Sequence, residues 1–311
     1  KCSERSFNMQ KNTLKSGIEI SEVGLGCMSL GTDVEHAETI IDEAINQGIT
    51  YFDTADLYDY GENEKIVGSL LKKYQNNSDI VIGSKVGNHF DKETKEHHWD
   101  PSKEHIMNGI KDTLQRLDVE QLDLYMLHGG TIEDNKDETI EAFERLKEQG
   151  LIKAYGISSI RPNVIDYYLE NSNIETIMMQ FSLLDNRPEA LTERINDKDI
   201  KILARGPVSK GLLTDKYNKV LENKFKDGLL EYNADDLTET VTKLAEEFDN
   251  LSAVTFNYLK SFEALGSIIT GASSKEQLIT NMQHYNESLS EDQINHARSI
   301  VKNLEYTNHL N

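Results

Sequence analysis

"LDLYMLH", Leu122 to His128, is apolar almost throughout, and "DETIEAFERLKEQG", Asp137 to Gly150, follows with apolar residues at helical spacing. A strand with one wet face alternates apolar and polar residues. A strand that is apolar on both faces is buried on both, as parallel strands are beneath their crossover helices. The same unit recurs in both directions along the chain. Before it stand "VGLG" (Val23–Gly26) with "EHAETIIDEAINQG", "TYFD" (Thr50–Asp53) with "NEKIVGSLLKKY", and "DIVIGSK" (Asp79–Lys85) with "SKEHIMNGIKDTLQRL". After it stand "IKAYGIS" (Ile152–Ser158) with "RPNVIDYYLEN", and "TIMMQFS" (Thr176–Ser182) with "RPEALTERINDK". "IKILARG" (Ile200–Gly206) then leads through a long loop to "DDLTETVTKLAEEF", and "GSIITGAS" (Gly266–Ser273) leads to "SKEQLITNMQHY".

Eight strand–helix units predict an α/β fold, a closed (β/α)8 TIM barrel rather than an open doubly wound sheet. Ahead of the first unit, "TLKSGIEI" places a Ser-Gly turn between short alternating stretches, which predicts a β-hairpin capping one end of the barrel. No low-complexity linker interrupts the series, so residues 9–311 read as a single domain. Residues 1–8, "KCSERSFN", read as a non-native remnant or a disordered tail preceding Met9.

The chain has 311 residues, and its 33 basic and 54 acidic side chains give a net charge of −21. That balance argues against nucleic acid and anionic membranes, which want a basic face. No apolar run approaches the length of a membrane span. With two cysteines, Cys2 and Cys27, a disulfide framework is not expected and a reducing, cytoplasmic setting is. The acidity is uneven. Lys201 to Lys226 holds seven Lys/Arg against Asp215 and Glu222, a net of +5. Such a run reads either as a solvated face or as a pocket for an anionic ligand.

Active sites of such barrels lie at the carboxyl ends of the strands. Those ends are Gly26, Asp53, Lys85, His128, Ser158, Gln180, Arg205 and Gly271. Singly, Asp53 reads as a helix cap, Tyr58 as a packing tyrosine and His128 as a core histidine. Lys85 is the exception, because a lysine ending an apolar strand is costly without an anion nearby. Together at neighbouring strand ends the four read as chemistry. A lysine beside a tyrosine stabilises phenolate, an aspartate holds the lysine charged, and a histidine shares the proton or holds a carbonyl oxygen. The ensemble suits a general acid aimed at a carbonyl. Two other readings stay open: a non-catalytic cofactor-sensing subunit on the same fold, and a Schiff-base lyase using Lys85, which would require that lysine to be neutral. His97 and His98 are adjacent, a poor spacing for two ligands of one ion, and no Cys or His motif matches a metal site, so no metal is expected.

"GLGCMSLG", "YFDTADLYDYGENEKIVGSLL", "DIVIGSKVG", "TLQRLDVEQLDLYMLH", "RLKEQGLIKAYGISS", "MQFSLLDNRPE", "LARGPVSKGLLTDKY" and "IITGASSKEQLITN", in that order, resemble the aldo-keto reductase superfamily from about Leu14 to Asn281. The resemblance implies NADPH lying extended across the strand ends and a small-molecule aldehyde or ketone as substrate. It assigns Asp53, Tyr58 (acid/base), Lys85 and His128 (substrate orientation) as the catalytic set. Gly26, Cys27 and Met28 would line the nicotinamide end, and Asp53 would also reach its ribose. Ser158, Ser159 and Gln180 would hold the carboxamide, Ser159 standing where the family usually has Asn. Arg205 takes the place of an aromatic often stacked on the nicotinamide, and its charge would disfavour NADP+ relative to NADPH. Gly206, Pro207, Lys210, Gly211 and Lys216 belong to the loop over the pyrophosphate, which gives the basic island a purpose. Gly271, Ser273, Lys275, Gln277 and Asn281 match the adenosine end, with Ser273 and Lys275 near the 2′-phosphate. After His128, Gly129-Gly130 replaces bulkier or basic residues, leaving a small pocket wall. The loop Asn88–Pro101 supplies His89, Phe90 and Trp99 as substrate contacts.

Overall fold

Each of the eight apolar runs forms a strand, and the eight close into a parallel barrel. The structure, a computed structural model, describes residues 9–311, so the expectation for residues 1–8 lies outside the described residues. The chain opens with β1 (Lys11–Thr13) and β2 (Glu19–Ser21), an antiparallel pair. The barrel begins with β3 (Val23–Gly26), β4 (Tyr51–Asp53) and β5 (Val81–Val86). After the excursion β6 (Asn88–Phe90) and β7 (His97–Trp99), it continues with β8 (Leu122–His128), β9 (Ile152–Ser158), β10 (Thr176–Gln180), β11 (Lys201–Arg205) and β12 (Leu265–Gly271). Each barrel strand pairs with the next in chain order, and β12 returns to β3.

Continuous apolar strands serve two cores because successive side chains point to opposite faces. Tyr51, Val81, Leu124, Met126, Ala154, Met178, Leu203 and Ile269 fill the barrel interior. Phe52, Ile82, Tyr125, Leu127, Ile157, Ile177, Ile202 and Ile268, one step along, pack outward beneath the helices. Leu14 and Ile20 join the interior cluster, so the hairpin plugs one end of the barrel as expected. Most of "TLKSGIEI" is the turn itself. The Leu14 amide donates to the Ile18 carbonyl and the Gly17 amide to that of Leu14, with Gly17 at φ +95°.

The helices α1 (Val34–Asn46), α2 (Glu62–Leu71), α3 (Lys103–Leu117), α4 (Lys136–Glu148), α5 (Pro162–Asn171) and α6 (Glu189–Asp197) follow their strands as expected. The seventh unit differs. Between β11 and β12 lie α7 (Tyr217–Lys224), α8 (Ala234–Glu247) and α9 (Leu251–Lys260). The sequence pattern predicts "DDLTETVTKLAEEF" as the crossover helix. That helix is α8, but α9 is the one that packs on β12. Leu251 to Leu259 is buried at every position, which erases the amphipathic stripe that would have marked it. After α10 (Lys275–Asn286), α11 (Glu291–Ile300) packs against α8 and α9. The second difference is β6–β7, an antiparallel hairpin where the sequence read a loop. Among the described residues no helix is long and apolar enough to cross a membrane.

Candidate active site

The two-residue alternation explains why eight strand ends converge. Moving one inward position past the packed interior layer gives Gly26 beyond Gly24, Asp53 beyond Tyr51, Lys85 beyond Gly83 and His128 beyond Met126. On the other half it gives Ser158, Gln180 beyond Met178, Arg205 beyond Leu203 and Gly271 beyond Ile269. Strand register sets their neighbours: Asp53 opposes Gly26, His128 opposes Ser158, and Gln180 opposes Arg205.

At the centre the Lys85 ammonium is fully buried. It donates to Asp53 Oδ2 at 2.6 Å, to the Thr54 carbonyl at 2.9 Å and to the Tyr58 hydroxyl at 3.3 Å. Burial alone would lower the pKa of Lys85, but the Asp53 carboxylate and then Tyr58 overcome it and raise the value. Lys85 therefore stays charged, which removes the condition on which the Schiff-base reading depends. The His128 ring stands edge-on to Tyr58, centroids 5.9 Å apart and planes at 86°. Burial, then the cations Lys85 and Arg205, push His128 down to about 3, so it is neutral throughout the working range. Its buried Nδ1 has no partner among the described residues.

Tyr58 reaches this place because the segment after β4 runs on beside β5. The Thr54 amide donates to the Gly83 carbonyl and the Asp56 amide to that of Lys85. The chain then turns sharply: Asp59 and Tyr60 lie at φ +49° and +52°, and Gly61 at +93°. Two consecutive non-glycine residues in this region carry strain of about 1–3 kcal/mol each, held where the tyrosine must point inward.

Several supporting residues were not read from the sequence. The Tyr51 hydroxyl donates to Asp53 Oδ1 at 3.2 Å from below, so both oxygens of that carboxylate are held. The ring needs Gly83, where a Cβ would lie 2.4 Å from the Tyr51 hydroxyl. Thr54 donates to Asn63, and Asn63 donates to the Cys27 carbonyl. Asp56 is buried behind the site, its Oδ1 without a partner among the described residues. Burial and then Glu64 push its carboxyl up to about 8, against the pull of Arg116, the Leu57 amide and Lys85. Glu64 itself is buried, accepting from Ser84 and from Arg116. A buried acid inside a sequence already assigned one catalytic Asp gives little signal.

His128, Gly129, Gly130, Ser158, Ser159, Gln180 and Arg205 line one cavity of about 270 Å³, together with Ile160, Arg161 and Met178. Arg161, a second cation in this wall, precedes Pro162 at the start of α5 and was read only as part of a helix. Ser159 is buried, and its hydroxyl accepts from the Arg161 amide at 3.1 Å. Gly206, at φ +64°, closes on Gln180: a Cβ there would lie 2.3 Å from Gln180 Oε1.

The remaining expected cofactor contacts fall into three places. Gly26 sits in the mouth, but the Cys27 side chain is buried in the core and burial pushes its thiol up, while Met28 is 58 % exposed. After β11, Pro207 is buried, its carbonyl accepting from Thr255, and Lys210 and Lys216 are exposed. Gly211 lies at φ +103°. After β12, the Ser273 amide and hydroxyl donate to Gln277 Oε1, and Asn281 donates to the Gly271 carbonyl. Lys275 Nζ lies 3.9 Å from Glu43, and the Ser273 carbonyl is 2.6 Å from His36 Nε2.

The hairpin residues separate. Trp99 leans over Gly87 and Gly129 and donates to the Asp134 carboxylate at 3.1 Å, beside the mouth. Phe90 packs edge-on to Tyr60. His89 stands with His98 and His105 rather than with Tyr58 and His128.

A buried Asp53–Lys85 pair with the half-buried Tyr58 and a neutral His128 at the mouth of a parallel barrel defines a class, the barrel oxidoreductases that work on carbonyl and hydroxyl groups. The sequence profile of the aldo/keto reductase family matches residues 22–302, and the chain belongs to that family, whose members generally use a nicotinamide cofactor. It is 48 % identical to the oxidoreductase YqkF of Bacillus subtilis over 97 % of this chain and 99 % of YqkF. It is 42 % identical to the solved holo aldo-keto reductase AKR11C1 of Bacillus halodurans, with a TM-score of 0.89, covering 97 % of this chain and 99 % of that one. A more distant relative, at 26 % identity over 93 % of this chain and 97 % of its own length, is the NADH-specific methylglyoxal reductase of Escherichia coli.

Proposed function

We propose that the protein is an NADPH-dependent reductase of aldehydes or ketones, a single barrel domain over residues 9–311 that works in the cytoplasm, with Tyr58 as the general acid. The observation that carries the reading is the Tyr58 hydroxyl held 3.3 Å from a buried, charged Lys85 and edge-on to a neutral His128.

The residues present fit the cofactor. Ser158, Ser159, Gln180 and Arg205 line one cavity with His128, and hydroxyl and amide groups in one pocket are the donors and acceptors that a nicotinamide carboxamide uses. Gly26, Ser158, Ser159, Gln180 and Arg205 would hold the nicotinamide end, the Gly206–Lys216 loop the pyrophosphate, and Ser273, Lys275, Gln277 and Asn281 the adenosine. Lys275 would meet the 2′-phosphate in competition with Glu43. A bound reduced nicotinamide supplies hydride to the carbonyl carbon.

The chain's own residues handle the oxygen. His128, neutral, donates one hydrogen bond to the carbonyl and orients it. Tyr58 gives up its proton as negative charge grows on that oxygen, and the Lys85 ammonium stabilises the phenolate left behind. Asp53 keeps Lys85 charged and fixed. In reverse, the phenolate takes an alcohol's proton. Gly129-Gly130, Ile160 and Trp99 would shape the substrate wall, with Phe90 at its outer edge and His89 beyond it.

The test is a fluorescence titration with NADPH and with NADH, followed by a panel of reactive aldehydes and ketones on the wild type and Tyr58→Phe. The reading expects tighter NADPH than NADH binding, turnover of the panel, and a variant that binds cofactor normally but reduces nothing. Turnover surviving in Tyr58→Phe would remove the tyrosine from its role. Cofactor binding without any turnover would favour a sensor.

A further inference from the structure

Hairpin β6–β7 brings together side chains that no sequence motif joins. His89 lies on β6, Asp100 directly follows β7, and His105 is in the first turn of α3. Asp100 Oδ2 sits between the two rings, 4.0 Å from His89 Nδ1 and 4.0 Å from His105 Nδ1, and one ligand atom from each residue lies within 4.8 Å of the others. The carboxylate is already oriented. Its Oδ1 accepts from the Ser102 amide at 3.1 Å, and the Asp100 amide donates to the Gly87 carbonyl at 2.7 Å. His105 is held on its helix, its side chain 15 % exposed and its Nε2 buried without a partner among the described residues, whereas His89 is 58 % exposed and free to adjust. The His98 ring stacks on His89 at 5.1 Å and 15°, covering one face of it.

We propose that His89, Asp100 and His105 form a site for one zinc-class divalent cation that ties the hairpin to the start of α3. Two imidazoles and one carboxylate, with no thiolate, suit Zn2+ and its imidazole-preferring neighbours rather than Mg2+. Ligands at about 2.0–2.1 Å around a tetrahedral ion stand about 3.4 Å apart, so the two 4.0 Å spacings close by a small movement of the exposed His89 and a small turn of the Asp100 carboxylate towards His105. The Ser102 amide on the far carboxylate oxygen is the outer support that such ligands use. A fourth position is left for water. The bound ion would brace the hairpin that carries Trp99 to the pocket rim, away from Tyr58 and Lys85.

The experiment uses tag-free protein and Zn2+ alone, by calorimetry, with Mg2+ as competitor, on wild type, His89→Ala, Asp100→Asn and His105→Ala. His296→Ala removes a surface histidine that pairs with Glu247 and serves as control. One equivalent should bind, each of the three changes should weaken binding by more than about tenfold, and the control should match wild type. Amide exchange over residues 88–99 should slow with Zn2+. His89→Ala, at an exposed position, keeps the test meaningful if the buried variants misfold. No saturable binding, binding untouched by His89→Ala, or equal competition by Mg2+ drawn simply by the −21 charge would overturn the proposal.

Discussion

The Lys85 ammonium donates to the Asp53 carboxylate at 2.6 Å, and both side chains are buried. Removing one partner leaves the other buried without its counter-charge. Asp53→Asn or Lys85→Met should each cost about 3–5 kcal/mol of stability, and the double change distinctly less than the sum. Urea unfolding of the three variants checks this. Additive losses would mean that the two do not act as a pair.

His128 carries a pH signature. Its folded value of about 3 lies below its ordinary 6.5, so between those limits the unfolded chain takes up a proton that the native chain refuses. Stability from this group is complete above about pH 6.5 and declines as pH falls towards 3, by up to about 1.4 kcal/mol per unit. His128→Gln should flatten that decline in unfolding midpoints between pH 4 and 6.

Asp56 works in the opposite direction. Its carboxyl is raised from 3.8 to about 8, so its contribution is complete below the unfolded value and disappears as pH rises through 8. Asp56→Asn mimics the neutral form. It should change little at about pH 3.5, stabilise increasingly as pH rises from about 4 to 8, and stabilise by on the order of 1 kcal/mol or more at pH 9. Equal melting shifts at both pH values would show that ionisation there is not opposed.

Arg205 is exposed in the pocket wall and its charge reaches His128. Arg205→Tyr should tighten NADP+ more than NADPH, because a nicotinamide ring that becomes cationic on oxidation is repelled by guanidinium and not by phenol. Fluorescence titration of both forms decides it, and equal shifts in the two dissociation constants would sink the idea.

The barrel was legible because buried parallel strands leave an uninterrupted apolar signature, and all eight carry it. Three of the four residues proposed for catalysis, Asp53, Lys85 and His128, stand out for a related reason: a polar residue near the end of such a strand is conspicuous. Helix α9 was hidden because burial on every side removes periodicity, and β6–β7 because three-residue strands rich in His and Trp resemble a loop. Tyr51, Asp56 and Arg161 were missed for want of contrast. Tyr51 looks like any strand aromatic, Asp56 is overshadowed by Asp53, and Arg161 precedes a helix where charged residues are ordinary.

The site's floor is the barrel's own packed layer, since Asp53, His128, Gln180 and Arg205 each stand one inward step above a core side chain. Remodelling from below would therefore disturb packing and chemistry together. The rim is different. Gly129, Gly130, Ile160 and Arg161 border the cavity without belonging to that layer. Gly129 and Gly130, at φ +131° and +130°, admit other residues only with strain, so a mutant library restricted to Ile160 and Arg161 would reshape the proposed substrate wall while leaving the packed layer intact, and the architecture divides an adaptable edge from a fixed base.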